Sequence, residues 1–333
     1  MTRNYSIARN LPSLAEEGAT LSPRNKGGSA TTSPEAAQAY AELHCISNFT
    51  FLRGASFPEE LVERAEALGY RAIAITDECS LSGVVKAHMA AKELRIKLII
   101  GSEFVLRDPA TEALQNEKTI RKNRDVLNNG MRIVLLALNR KGYGELSHLI
   151  SCARLQANKG EYRVDSELLR EKIPNDCALL WIPDLKQSGA CIESQAAYLR
   201  VLAAGNLWIA AELLLNGHDR LKLKRLQKLG KNFDIPVCAA GGVYMHEAGR
   251  RIVQDTLTAI RLSRPLTEIG FAAEPNSQRH LRSIEQLKKL YPVQLLDETL
   301  NIANRCNFSL DELRYEYPSE LVPKEHTAHS WLW

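Results

Sequence analysis

Seven short apolar runs, most of them separated by helical stretches, constrain this chain more than any other feature. The runs are Ala41–His44, Arg71–Thr76, Lys97–Ile100, Arg132–Leu138, Ala178–Ile182, Leu207–Glu212 and Ile235–Ala240. Helical spacing of apolar residues lies between most of them, as at Ser82–Leu94, Tyr143–Arg154, Glu193–Ala203 and Arg220–Asn232. Continuous apolar strands alternating with helices predict a parallel sheet covered on both faces. Seven repeats favour closure into a barrel over an open sheet. In a β/α barrel the loops after the strands form one rim, so residues there converge despite wide spacing in sequence. His44, Asp77, Glu78 and Glu103 all sit just at or beyond the ends of such runs. Histidine with carboxylates suits divalent metals and phosphate chemistry.

Local signals sharpen this outline. Ser56-Phe57-Pro58-Glu59-Glu60 reads as a helix start, with Ser56 as N-cap, Pro58 in the first turn and acids at the positive end of the dipole. Gly69 is placed to end that helix. Residues 1–36, rich in Ser, Thr, Ala, Gly, Pro and Asn, read as a disordered leader. Residues 37–265 read as the barrel domain and 266–333 as a helical extension, with helices at Ser283–Leu290 and Gln294–Asn304. The charged piece from Asp108 to Asn129 reads as a surface excursion.

Several function classes are excluded. No apolar segment is long enough to span a bilayer, and the N-terminus lacks the apolar core of a secretory signal. Seven cysteines, odd in number and never in a C-x-x-C pair, fit reduced thiols and a cytoplasmic location. A net charge of +4 permits contact with nucleic acid without arguing for it. No Ser-His-Asp arrangement and no Walker-type loop is present. Gly241-Gly242 makes a tight turn more readily than a phosphate cradle.

Three strings carry a family resemblance: Tyr40-Ala-Glu-Leu-His-Cys-Ile-Ser-Asn-Phe-Thr-Phe-Leu-Arg-Gly-Ala-Ser56, Ala74-Ile-Thr-Asp-Glu-Cys-Ser-Leu-Ser-Gly83 and Ile99-Ile-Gly-Ser-Glu103. They resemble the N-terminal PHP (polymerase and histidinol phosphatase) region of bacterial error-prone DNA polymerase III alpha subunits. Asp255–Leu262, Pro275–Arg282 and Phe308–Pro318 continue the resemblance in order. It implies a distorted (β/α)7 barrel of PHP type, α/β in class, with a C-terminal helical extension. It also implies metal ions held by His, Asp, Glu and Cys at the strand ends, and a polymerase palm domain downstream. In the family that palm carries paired aspartates and two metal ions for nucleotidyl transfer in translesion synthesis. This chain ends at Trp333, where such a palm would begin, so it is not expected to polymerise DNA alone.

The match is incomplete at the rim. His44, Asp77 and Glu103 correspond to the leading ligands of the first three motifs. Ile46 and Arg53 replace a second histidine and an aspartate, Glu78 and Arg132 replace histidines, and Gly242-Val-Tyr244 replaces a closing Asp-x-His. Two guanidinium groups repel a divalent cation by several kcal/mol at short range, even at an effective dielectric of about 20. A trinuclear site is therefore not expected. One mononuclear site from His44, Asp77, Glu78 and Glu103 is left, for Mn, Mg or Zn, with His246 as a spare ligand. Against it stand plainer roles: Asp77 capping the next helix, His44 hydrogen-bonded inside the mouth, and Arg53 paired with Glu103 or Asp77 in place of a metal's charge. His88, His148 and His218 read as surface or packing residues. The expected role is the PHP portion of an error-prone polymerase, partnered by a palm and fingers fragment and by DNA. The alternative is a free-standing metal-dependent phosphoesterase or 3'-5' exonuclease.

Overall fold

A computed structural model of the chain describes residues 39–106, 130–314, 322 and 325–331. The leader, the Asp108–Asn129 excursion and most of the Pro-punctuated segment after Arg314 lie outside the described residues. Seven strands form one sheet in sequence order: β1 (Ala41–Glu42), β2 (Ala72–Ile75), β3 (Lys97–Leu106), β4 (Met131–Ala137), β5 (Cys177–Ile182), β6 (Leu207–Glu212) and β7 (Val237–Ala240). The sheet rolls up until its ends meet. Val243 N–H donates to the His44 carbonyl at 3.0 Å and Ile46 N–H to the Val243 carbonyl at 2.9 Å, closing the barrel at the strands' far end.

The wholly parallel sheet expected from the apolar runs is not what forms. β4 runs antiparallel to both β3 and β5, while the remaining pairs are parallel. This reversal has a functional consequence. A parallel strand brings its last residues to the mouth, whereas β4 brings its first, so Arg132 stands at the rim rather than at the floor. β3 is also longer than expected. It continues through Gly101-Ser102-Glu103, so Glu103 is a strand residue and not a loop residue.

The helices are α1 (Pro58–Ala67), α2 (Val84–Leu94), α3 (Arg140–Leu155), α4 (Ser166–Lys172), α5 (Gly189–Leu202), α6 (Asp219–Phe233), α7 (Arg251–Leu262), α8 (Ile284–Leu290) and α9 (Val293–Arg305), and all but α4 and α7 lie where periodicity places them. The start of α1 differs in its cap. Phe57 holds the N-cap position and its N–H donates to Glu60 at 2.9 Å, while Ser56 is drawn off to His246. Gly69, at φ +74°, ends α1 as expected.

Strand residues alternate between two apolar clusters. Ile73, Ile75, Ile133, Leu135, Leu179 and Ile209 face the helices, while Ala72, Ala74, Ile99, Val134, Leu180 and Ala210 fill the interior. The interior is plugged from below by α9, whose Ile302 and Ala303 belong to the same cluster. Polar ties fix the plug. Ala41 N–H donates to Thr299 Oγ1 (3.2 Å), Trp208 Nε1–H to Glu298 (2.7 Å) and Asn307 N–H to the Leu138 carbonyl (2.8 Å). The helical stretch after Pro265 is thus part of the barrel's core. All seven cysteines are free thiols. No helix among the described residues is long and apolar enough to cross a membrane.

Candidate functional site

Because the interior below is apolar and plugged, chemistry can only gather at the mouth. There His44, just past β1, is completely buried between two carboxylates. Its Nε2 lies 2.7 Å from Glu103 Oε2 and its Nδ1 2.8 Å from Glu212 Oε1. Carboxylates only accept, and a neutral imidazole has a single N–H, so only the imidazolium donates on both sides. Burial works against that charge, but the hydrogen bonds and charges of Glu103 and Glu212 outweigh it and lift His44 to about 9. Burial would in turn raise both carboxyls. Arg53 and His44 instead hold Glu103 low, and Arg132 and His44 hold Glu212 well below the usual carboxylate range.

Arginines complete the network. Arg53 Nη1 donates to Glu103 Oε1 at 2.9 Å and also pairs with Glu78, whose other oxygen accepts from the Tyr162 hydroxyl at 2.7 Å. Arg132 reaches Glu212 at 3.3 Å, with Glu103 at 4.0 Å. Arg279 lies 3.7 Å from Glu212 and 2.9 Å from Glu274. The Tyr244 ring sits between the guanidiniums of Arg279 and Arg53, 4.4 and 5.4 Å from its centroid, and its hydroxyl accepts from Arg53 at 3.1 Å. Burial would raise that phenol, yet Arg279, Arg53 and Arg132 bring it below its ordinary value. Four cationic side chains (His44, Arg53, Arg132, Arg279) therefore face four carboxylates (Glu78, Glu103, Glu212, Glu274).

Gly242 shows how tightly this network packs. At φ +55°, a Cβ there would lie 2.7 Å from Glu212 Cδ and 2.9 Å from Arg279 Nη1. An aspartate at this position would collide with the ion pair that stands there.

The four expected ligands do not act together. His44 and Glu103 touch, and the Glu78 carboxylate joins them only through Arg53, although the backbones of Glu78 and Glu103 form a parallel bridge. Asp77 is turned elsewhere: its carboxylate accepts from Ser47 N–H (2.8 Å), Ser47 Oγ (2.8 Å) and Thr50 Oγ1 (2.7 Å). It staples the loop after β1 rather than capping α2, whose N-cap position is Gly83. His246 is likewise engaged, its N–H donating to Ser56 Oγ at 2.9 Å and its Nδ1 facing that oxygen at 2.8 Å. The expected pairing of Arg53 falls on Glu103, not Asp77. His88 pairs with Asp311, and His148 lies on the α3 surface beside Cys152.

Tested against a divalent cation, this donor set does not fit. An imidazolium has no lone pair to give, the Glu103 and Glu212 oxygens already accept from guanidinium or imidazolium donors, and Asp77 and Glu78 are taken up by hydroxyl, backbone and Arg53 donors. Among the described residues no group of three or more His, Cys, Asp or Glu side chains is arranged to hold a metal. Glu212 and Arg279 are the residues that sequence reasoning overlooked. Glu212 bore the signal that marked Glu103, an acid at the end of an apolar strand, but entered only as the last residue of the run Leu207–Glu212. Arg279 lay in the recognised Pro275–Arg282 string with no role attached.

Comparison with known proteins bears on this geometry. The PHP domain family profile matches residues 42–220. An error-prone DNA polymerase of Methylococcus capsulatus is 50% identical over 293 residues, covering 88% of this chain and 26% of the relative. Those of Dechloromonas aromatica and Pseudomonas fluorescens are 48% and 44% identical, covering 88% and 89% of this chain and 26% of each relative. The chain thus spans about a quarter of the length of the relatives it matches.

Proposed function

This chain belongs to the PHP domain family, and on that premise we propose that it serves as the PHP portion of an error-prone DNA polymerase, in a structural rather than hydrolytic role. The observation that carries this reading is the ion-paired mouth. Where a metal-dependent phosphoesterase needs free carboxylate and imidazole lone pairs with an open coordination position, this barrel has guanidinium donors and a protonated His44. Arg53, Arg132 and Arg279 supply the positive charge that metal ions would supply, and in doing so hold the loop after β1, β3, β4, β6 and the Gly242–Tyr244 turn together. In this reading the partners are a palm and fingers fragment and DNA, the setting is translesion synthesis in the cytoplasm, and 37–265 with its helical extension works as one rigid body.

Two assays test it. In a manganese-supplemented phosphodiesterase assay the purified chain should release no product above a buffer control. Hydrolysis that disappears in His44→Ala and Glu103→Ala would overturn the structural reading in favour of the phosphoesterase. A palm and fingers fragment, expressed separately from one of the relatives, should co-purify with the chain, and failure to associate would count against the polymerase assignment.

A further inference from the structure

One helix of this protein carries a strongly unbalanced positive charge. α6 carries six basic side chains (Arg220, Lys222, Lys224, Arg225, Lys228, Lys231) and one acid, Asp219, for a net +5 against +4 for the whole chain. Without α6 the protein would be slightly acidic. Other surface helices mix their charges or are acidic, as α1 is with Glu59, Glu60, Glu63 and Glu66 against Arg64.

Geometry turns this composition into a surface. Leu226, Leu229 and Gly230 are buried against the barrel, and Lys222 is turned inward, its Nζ donating to the Glu212 carbonyl. Arg220, Lys224, Arg225, Lys228 and Lys231 are all exposed, and none has an ion-pair or side-chain hydrogen-bond partner among the described residues. At about 100° per residue, Arg220, Lys224, Lys228 and Lys231 fall within an arc of about 80°, with Arg225 flanking them. The stripe is about 17 Å long at 1.5 Å per residue, enough to follow about five phosphates of one strand at 3.4 Å each. Exposed cations such as Lys159, Lys172, Lys288 and Lys289 are scattered elsewhere, but no other helix among the described residues carries more than three Lys or Arg side chains.

We infer that the exposed face of α6 is a docking surface for a nucleic acid phosphodiester backbone, bound through charge without reading bases. An unneutralised row of like charge raises the energy of the folded protein through self-repulsion, which a polyanion relieves while releasing its counterions. The stripe starts near the mouth, because α6 follows β6 and Glu212, and runs down the outer wall. This inference deepens the polymerase reading by giving DNA a surface on the chain, but its test needs no polymerase.

The experiment measures binding of the full-length chain to a labelled single strand and to a duplex of equal length by fluorescence anisotropy, across a salt series. The combined Arg220→Gln, Lys224→Gln, Lys228→Gln, Lys231→Gln variant should bind at least one of them about tenfold or more weakly at low salt. For the single strand, its log–log salt slope should be shallower by about 0.7 for each phosphate that is no longer neutralised. A control lacking four exposed lysines elsewhere, Lys159→Gln, Lys172→Gln, Lys288→Gln, Lys289→Gln, should bind like wild type. The inference is overturned if the α6 variant keeps wild-type affinity and slope for both ligands, or if the control weakens as much. It is equally overturned if polyglutamate displaces DNA as well as unlabelled DNA does, since the surface would then suit an acidic protein. Loss of binding here would leave the co-purification test unaffected, and the reverse holds too.

Discussion

His44 is held by contacts that reward its charge, and this makes the mouth sensitive to pH in a definite direction. Its folded value of about 9 lies above the ordinary 6.5, so its contribution is complete below about 6.5 and is lost as pH rises through 9. Glu103 and Glu212 act oppositely: lowered from 4.5, they stabilise above that pH and cease to on acidification. Urea midpoints should therefore fall between pH 6.5 and 9 by an amount equivalent to on the order of 3 kcal/mol at most, and His44→Gln should flatten that slope. An unchanged slope in the variant would show that His44 is not the titrating group. Arg53 gives a second handle. Arg53→Met leaves Glu103 buried with a partner missing and should cost about 3–5 kcal/mol, while adding Glu103→Gln should recover a part that a double-mutant cycle can measure. Strict additivity of the two changes would show that they do not interact. Four of these residues were legible in sequence (His44, Glu103, Arg53 and Arg132), because each stands at a strand end or replaces a motif ligand. Glu212 and Arg279 were not, because a lone acid in an apolar run and an arginine in a loop carry no spacing signal until folding brings them to His44.

Among the elements, strand positions were readable and strand direction was not. A strand buried on both faces is a continuous apolar run whichever way it points, so Met131–Ala137 gave no sign of its reversal. The end of β3 was misplaced for a related reason. Gly101-Ser102 looks like turn punctuation, yet Gly101 has no room for a side chain: a Cβ would lie 2.5 Å from the Leu135 carbonyl oxygen on β4. The role of α9 was hidden as well, because an amphipathic helix announces an apolar face without saying what it covers. Ile302 is fully buried in the barrel floor. Ile302→Ala should cost about 2–5 kcal/mol in chemical denaturation, whereas Ile252→Ala on the exposed side of α7 should change stability by about 0.5 kcal/mol or less. Equal effects would mean that α9 does not plug the barrel.

At the scale of the whole molecule, one barrel wall supports two separated electrostatic features. The mouth is charge-balanced and inward-looking, with carboxylates and cations matched. The α6 stripe is unbalanced and outward-looking. The first is expected in a PHP barrel kept for its shape, and the second in a body that lies against a polyanion. Sequence resemblance identified the family through ordered strings along most of the chain, while the ion-pair arrangement at the mouth depends on contacts among β3, β4, β6 and the Gly242–Tyr244 turn that no linear motif contains. The most direct measurement is equilibrium dialysis of the full-length protein against manganese, followed by elemental analysis. Ion pairs in place of a metal predict far less than one equivalent bound, with no difference between wild type and His44→Ala or Glu103→Ala. One or more equivalents retained by the wild type and lost from both variants would contradict the account.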